Sequence, residues 1–131
     1  MIGLDTNILV RYFARDDPVL TPVADALLDS LSDRTREFVP IVFLAELIWT
    51  MDKRYEADPP ELIDIVEYLI RSSDLVLESQ AVVKSALRLF ESTYSDFADC
   101  LIERSCRSAG CRHTATFDRK AARAIGMKLA P

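Results

Sequence analysis

Glycine, histidine and tryptophan are scarce in this sequence, and its cysteines are odd in number. Of 131 residues, 3 are Gly, 1 is His, 1 is Trp and 3 are Cys. With half of the residues apolar, so little Gly argues against a disordered chain. No Gly-rich phosphate loop, no serine–histidine pair in a workable context and no CxxC spacing occurs. An odd cysteine count argues against a disulfide framework. Cys100 and Cys106, six apart on one expected helix, point to different sides. All three thiols read as reduced, partly buried small side chains. Long hydrophobic runs are missing too. The longest, Phe38 to Met51, is interrupted by Glu46 and is too short to span a bilayer. The chain opens without the basic region of a signal peptide, so a cytoplasmic protein with no membrane partner is the default expectation.

The length suits a single domain over residues 1–131, with roughly two-thirds of the unfolded surface buried. The net charge of −5 is unevenly spread. Residues 1–100 carry 9 Lys and Arg against 19 Asp and Glu, whereas residues 101–131 carry 7 against 2. An acidic body with a basic end suits a site that holds cations beside a phosphate backbone. Solvated helix faces with no target are the plain alternative.

Met1-Ile2-Gly3-Leu4 reads as a very short strand that runs straight into Asp5, with a helix from about Ile8 to Phe13. A carboxylate at the C-terminal end of a strand sits where α/β sheets bind ligands. Asp16 and Asp17 read as solvated turn residues, and Thr21-Pro22 as the N-cap and first residue of a second helix. Glu37-Phe38-Val39 is a short strand, followed by a helix from Ile41 to about Lys53. That helix is apolar nearly all round, so it should be buried, and Glu46 in its middle should need a metal or a buried cation. Asp58-Pro59-Pro60-Glu61 is a capping box before a helix with Leu62, Ile65, Val66 and Leu69 on one face. Asp74 to Leu77 is a buried strand, and Ser79 caps a helix to about Ser92.

The next helix opens at Ser95-Asp96 and ends at Gly110. Its apolar arc holds Phe97, Ala98, Leu101, Ile102, Ser105 and Ala109; Asp96, Asp99 and Glu103 lie on the other arc, with Asp99 at its border. Arg112 to Phe117 is a strand running into Asp118, with a short helix after it and an edge strand at Met127 to Leu129. His113 lies at the far end of that strand from Asp118, which suits a structural or surface role. Strands alternating with helices imply an α/β fold with a parallel sheet covered on both sides.

Asp5, Glu46, Asp99 and Asp118 therefore share one placement, at joins between apolar core and polar edge. Four carboxylates with no His or Cys beside them suit Mg²⁺ or Mn²⁺ and not zinc. Such ions activate a water and stabilise the leaving oxygen of a phosphodiester. Taken singly, Asp96 and Asp118 also read as helix caps, Asp99 as the acid of a capping box with Asp96, and Glu46 as one half of a buried ion pair. A receiver-type phosphoacceptor domain also clusters acids at strand ends, but the paired acids and late lysine it needs are not in place. A binding module without turnover remains compatible with the residues.

Asp5-Thr6-Asn7-Ile8-Leu9, Leu44-Ala45-Glu46-Leu47, Asp96-Phe97-Ala98-Asp99-Cys100-Leu101-Ile102 and Thr116-Phe117-Asp118-Arg119-Lys120-Ala121 resemble the four signature blocks of PIN domains. Their order, spacing and length are similar to those of VapC-type toxins of bacterial toxin–antitoxin pairs. The resemblance implies a three-layer α/β/α sandwich with a central parallel sheet. It implies an endoribonuclease dependent on Mg²⁺ or Mn²⁺ that leaves 5′-phosphate and 3′-hydroxyl ends. By motif, Asp5, Glu46, Asp99 and Asp118 are the catalytic metal-binding acids, Asp96 is auxiliary, and Thr6, Asn7 and Thr116 are supporting polar groups. The resemblance further implies homodimers and a small antitoxin that fills the acidic groove. Within the basic end, Arg119, Lys120 and Arg123 are the expected RNA contacts. Glu103 departs from the pattern, and the expectation is that it adds charge near the site or faces solvent.

Overall fold

A computed structural model describes all residues, 1–131. The chain divides into two compact units, Met1–Glu78 and Ser79–Pro131.

The first unit is built on three parallel strands, β1 (Ile2–Gly3), β2 (Glu37–Val39) and β3 (Leu75–Leu77), in the order β1-β2-β3. Ile2 stands opposite Glu37, and Glu37 opposite Leu75. Parallel neighbours cannot be joined by a tight hairpin, so each pair needs a crossover. Helices α1 (Thr6–Ala14) and α2 (Leu20–Asp29) cross from β1 to β2, and α3 (Ile41–Tyr55) and α4 (Pro59–Arg71) from β2 to β3. Leu9 and Val10 of α1, Leu44 and Leu47 of α3, and Val66 and Leu69 of α4 supply the core. Phe13 meets Tyr68 edge-to-face at 5.5 Å, which ties α1 to α4.

Local chemistry sets most helix starts. Asp58 accepts a hydrogen bond from the Glu61 N–H at 2.9 Å, and α4 buries Leu62, Ile65, Val66 and Leu69 as the spacing implied. Pro40 brings no side-chain acceptor to the start of α3; Glu78 Oε1 accepts from the Ile41 N–H at 2.7 Å instead. Two starts differ from expectation. Asp17 Oδ1 takes the N–H groups of Val19 and Leu20 at 2.9 and 2.8 Å, so α2 begins before Thr21. An ionised carboxylate is the stronger acceptor, and Thr21 is buried with its hydroxyl donating to the Arg11 carbonyl. Asp16 is likewise no idle turn residue, since it accepts from Arg11 and Tyr55.

The expectation for α3 needs correction. The helix is amphipathic and not buried all round. Phe43, Leu44, Leu47, Ile48 and Met51 face the core, while Val42, Glu46 and Trp49 face solvent.

The second unit comprises α5 (Gln80–Thr93), α6 (Phe97–Ser108), β4 (Ala115–Thr116), α7 (Arg119–Ile125) and β5 (Lys128–Leu129). Helices α5 and α6 pack together, with Phe90 and Phe97 edge-to-face at 5.7 Å. Strands β4 and β5 pair in parallel around α7, and β4 is shorter than the six residues expected of it. Ser79 occupies the cap position of α5 in a left-handed conformation (φ 53°) and makes no side-chain cap bond. Helix α6 is rotated from its expected arc. Cys100 and Glu103 turn inward with Phe97 and Leu101, while Ile102 is 49% exposed. Glu103 is 5% exposed and bonded to Arg104 at 2.7 Å and Arg107 at 2.9 Å. Paired arginines make that burial tolerable. Glu103 therefore neither faces solvent nor stands as a free charge. Helices alternate with parallel strands along the chain, the α/β/α class with a central parallel sheet that the sequence implied.

Candidate functional site

Strand β1 delivers Asp5 to the N-cap of α1, with extended backbone (φ −87°, ψ 146°) and no side-chain cap bond. Its carboxylate is exposed and unspent by the helix it begins. Thr6, the first residue of α1, is buried, and its Oγ1 donates to Glu46 Oε2 at 3.2 Å. That bond spans 40 residues of sequence and ties the middle of α3 to the N-terminal turn of α1. Glu46 is exposed, so burial does not supply the argument for its function that the sequence suggested. What the fold shows instead is its place beside the start of α1. Asn7 is exposed.

In the second unit, Asp96 caps α6, with Oδ1 accepting from the Asp99 N–H at 3.0 Å. Asp118 caps α7, with Oδ1 accepting from the N–H groups of Lys120 and Ala121 at 2.8 and 3.3 Å. Thr116 Oγ1 accepts from the Asp118 N–H at 3.0 Å and so fixes the turn between β4 and α7. The capping readings of Asp96 and Asp118 thus hold, and each cap uses one carboxylate oxygen. Asp99 is half-buried. Burial, and then the negative charges of Asp96 and Asp118, hold its carboxyl above the ordinary carboxylate range.

The ion pairs of the chain use Asp16, Asp25, Asp52, Glu67 and Glu103. Asp5, Glu46, Asp96, Asp99 and Asp118 have no such partner. Most other acids of the chain, the buried Glu37 among them, lack one as well, so the donor chemistry and not the missing pair bears on what could bind. Uncompensated carboxylates without His or Cys suit a hard divalent cation, and the donor chemistry fits Mg²⁺ or Mn²⁺. No three acidic, His or Cys side chains converge to the spacing of a metal-binding cluster.

The basic end is smaller than its composition suggested, because Arg104 and Arg107 are spent on Glu103. Arg119, Lys120 and Arg123 are exposed and outside those pairs. His113 is exposed. No disulfide forms; Cys100 is buried, and burial pushes its thiol up to about 12, which removes it as a nucleophile.

Sequence reasoning missed Trp49 and Glu37. Trp49 is 49% exposed, three residues after Glu46 on α3; the spacing was visible, but the helix had been read as buried. Glu37 is 1% exposed at the head of β2, with Oε2 unpartnered and its carboxyl pushed up by burial. An acid at the start of a strand carries no signal of such burial.

The VapC ribonuclease of Aquifex aeolicus (strain VF5) is 20% identical over 118 residues, spanning 89% of this chain and 87% of that protein. A profile of the PIN domain matches residues 2–126. That match runs from the first residue of β1 to the glycine that closes α7, taking in every acid described above, and the chain therefore belongs to the PIN-domain family.

Proposed function

We propose that this protein is a Mg²⁺- or Mn²⁺-dependent endoribonuclease acting as the toxin of a toxin–antitoxin pair in the cytoplasm. The observation that carries the reading is Asp99, half-buried beside two like charges with no cation of its own. The chain neutralises Glu103, the acid it buries in the same helix, with two arginines. Leaving Asp99 uncompensated fits a group whose counter-charge is a bound ion.

By the family resemblance, Asp5, Glu46, Asp99 and Asp118 are the residues that would hold the ion, and Asp96 would add negative charge. A bound divalent ion supplies a polarised phosphoryl oxygen and a water acidic enough to attack it near neutral pH. Thr6 orients the Glu46 carboxylate, and Thr116 fixes the backbone at Asp118. Arg119, Lys120 and Arg123 meet the RNA backbone electrostatically. The VapC ribonuclease relative supports RNA as substrate; a homodimer and a small antitoxin as inhibitor rest on the family resemblance alone.

The test is cleavage of single-stranded RNA by purified protein in Mg²⁺ or Mn²⁺, in Ca²⁺, and in excess EDTA. Cleavage in Mg²⁺ or Mn²⁺, weak cleavage in Ca²⁺, and none in EDTA or by Glu46→Gln is the expected pattern, since Mg²⁺ demands a tight octahedral oxygen site. Undiminished cleavage in EDTA, with contaminating nuclease excluded, would overturn the metal-dependent reading.

A further inference from the structure

Val42, Glu46, Trp49 and Lys53 recur on α3 at intervals of four, three and four residues. At ~100° per residue they fall within an arc of ~60°, a single stripe along the helix. All four are exposed, Val42 at 73% and Trp49 at 49%. The opposite face is the buried one, with Phe43, Leu44, Leu47 and Ile48. One line on the surface thus presents an apolar side chain, a carboxylate, an indole and an ammonium, the last also reaching Asp52 Oδ2 at 3.5 Å in an exposed pair. Thr6 fixes the carboxylate.

We propose that Trp49 is a stacking platform for one unpaired base of the RNA, next to the phosphate that Glu46 serves. The proposal rests on the ribonuclease reading and deepens it, because a platform of this kind selects an unstacked, single-stranded substrate. Trp49 lies ~4.5 Å along the helix axis from Glu46, and Lys53 a further ~6 Å. A base on the indole would therefore keep its flanking phosphates near the carboxylate on one side and near the ammonium on the other. Aromatic faces paired with cations are the usual means of holding single strands, since every base has a π-face. A protein partner is the poorer occupant. Glu46 separates Val42 from Trp49, and docking an apolar surface there would desolvate an ionised carboxylate.

Trp49 is the only tryptophan, so its fluorescence reports the contact directly. The probe is an unstructured RNA of about eight nucleotides, within the usual site size for such strands. It is titrated in Ca²⁺ to hold cleavage low. Saturable quenching of the Trp49 emission is expected. Trp49→Ala should weaken binding roughly 5- to 150-fold and Trp49→Phe far less, as loss and retention of one stacked base require. An RNA with one abasic position should bind more weakly to the parent, with no further loss in Trp49→Ala. If the parent cleaves RNA in Mg²⁺ while its emission is unchanged at saturation and Trp49→Ala binds equally well, the platform is overturned and the ribonuclease reading stands. If Trp49→Ala instead converts a dimer to monomers in sedimentation with RNA affinity unchanged, the stripe is a contact between copies and the proposal fails. A parent that neither binds nor cleaves RNA overturns both readings.

Discussion

The hydroxyl of Thr6 donates to the carboxylate of Glu46 at 3.2 Å, joining the first turn of α1 to the middle of α3 across 40 residues. Thr6 is buried and Glu46 is exposed, so the buried partner orients the exposed one. Thr6→Val removes the donor and keeps the shape. It should cost ~0.5–1.5 kcal/mol of stability, the net worth of an ordinary hydrogen bond. Loss of orientation should slow cleavage ~10-fold or more, and Thr6→Ser should retain both properties. Urea titrations beside rate measurements check this; full activity in Thr6→Val would show that the bond orients nothing of consequence.

Asp99 gives a pH dependence whose sign follows from its environment. Burial, with Asp96 and Asp118 nearby, raises its folded pKa above the unfolded value of 3.8. A raised carboxyl contributes stability that is present below 3.8 and is lost as pH rises through the folded value. Metal-free Asp99→Asn should therefore melt above the parent at pH 7. The two should converge as the pH falls below 3.8. Mg²⁺ should raise the melting temperature of the parent and not of the variant. A metal-free variant that melts below the parent at pH 7 would contradict this account.

Asp96 and Asp99 should separate by role. Asp96 spends one oxygen on the Asp99 N–H, so Asp96→Ala should cost ~0.5–2 kcal/mol through the lost cap, and Asp96→Asn little. In calorimetric titrations with Mn²⁺, Asp96→Asn should bind and Asp99→Asn should not. The reverse result would exchange the two assignments.

Glu103 is a structural acid. Removing the buried member of its network leaves Arg104, itself largely covered, without a partner. Glu103→Ala should destabilise by ~3 kcal/mol or more, measured by urea denaturation. Arg107→Ala should cost at most ~1 kcal/mol, because that guanidinium is mostly in water. Equal losses in the two variants would mean that both arginines are held alike.

Arg119, Lys120 and Arg123 are exposed cations following Asp118. Replacing all three with alanine should weaken RNA binding and flatten its salt dependence. Each lost phosphate contact should account for about 0.7 of a unit of slope on a single strand. An unchanged slope would leave them as solvating residues only.

The local order of this chain was legible from its sequence because capping and period act over three or four residues. Asp58, Asp96 and Asp118 cap the helices that follow them, and Leu62, Ile65, Val66 and Leu69 define one buried face. The alternation of such helices with short apolar strands requires parallel pairing, since each crossover returns the chain in the same direction. Tertiary structure alone decided which arc of a mixed helix turns inward. Helix α3 carries apolar side chains on every side, and only packing selected Phe43, Leu44 and Leu47 over Val42 and Trp49. Helix α6 turned Glu103 inward and Ile102 outward; the two arginines that neutralise the acid sit on the same helix and were visible in its sequence, but packing chose the arc. The bond from Thr6 to Glu46 and the burial of Glu37 depend on segments far apart in sequence. Burial of a charge depends on whatever partner the fold brings to it, and periodicity within a single segment contains no such information.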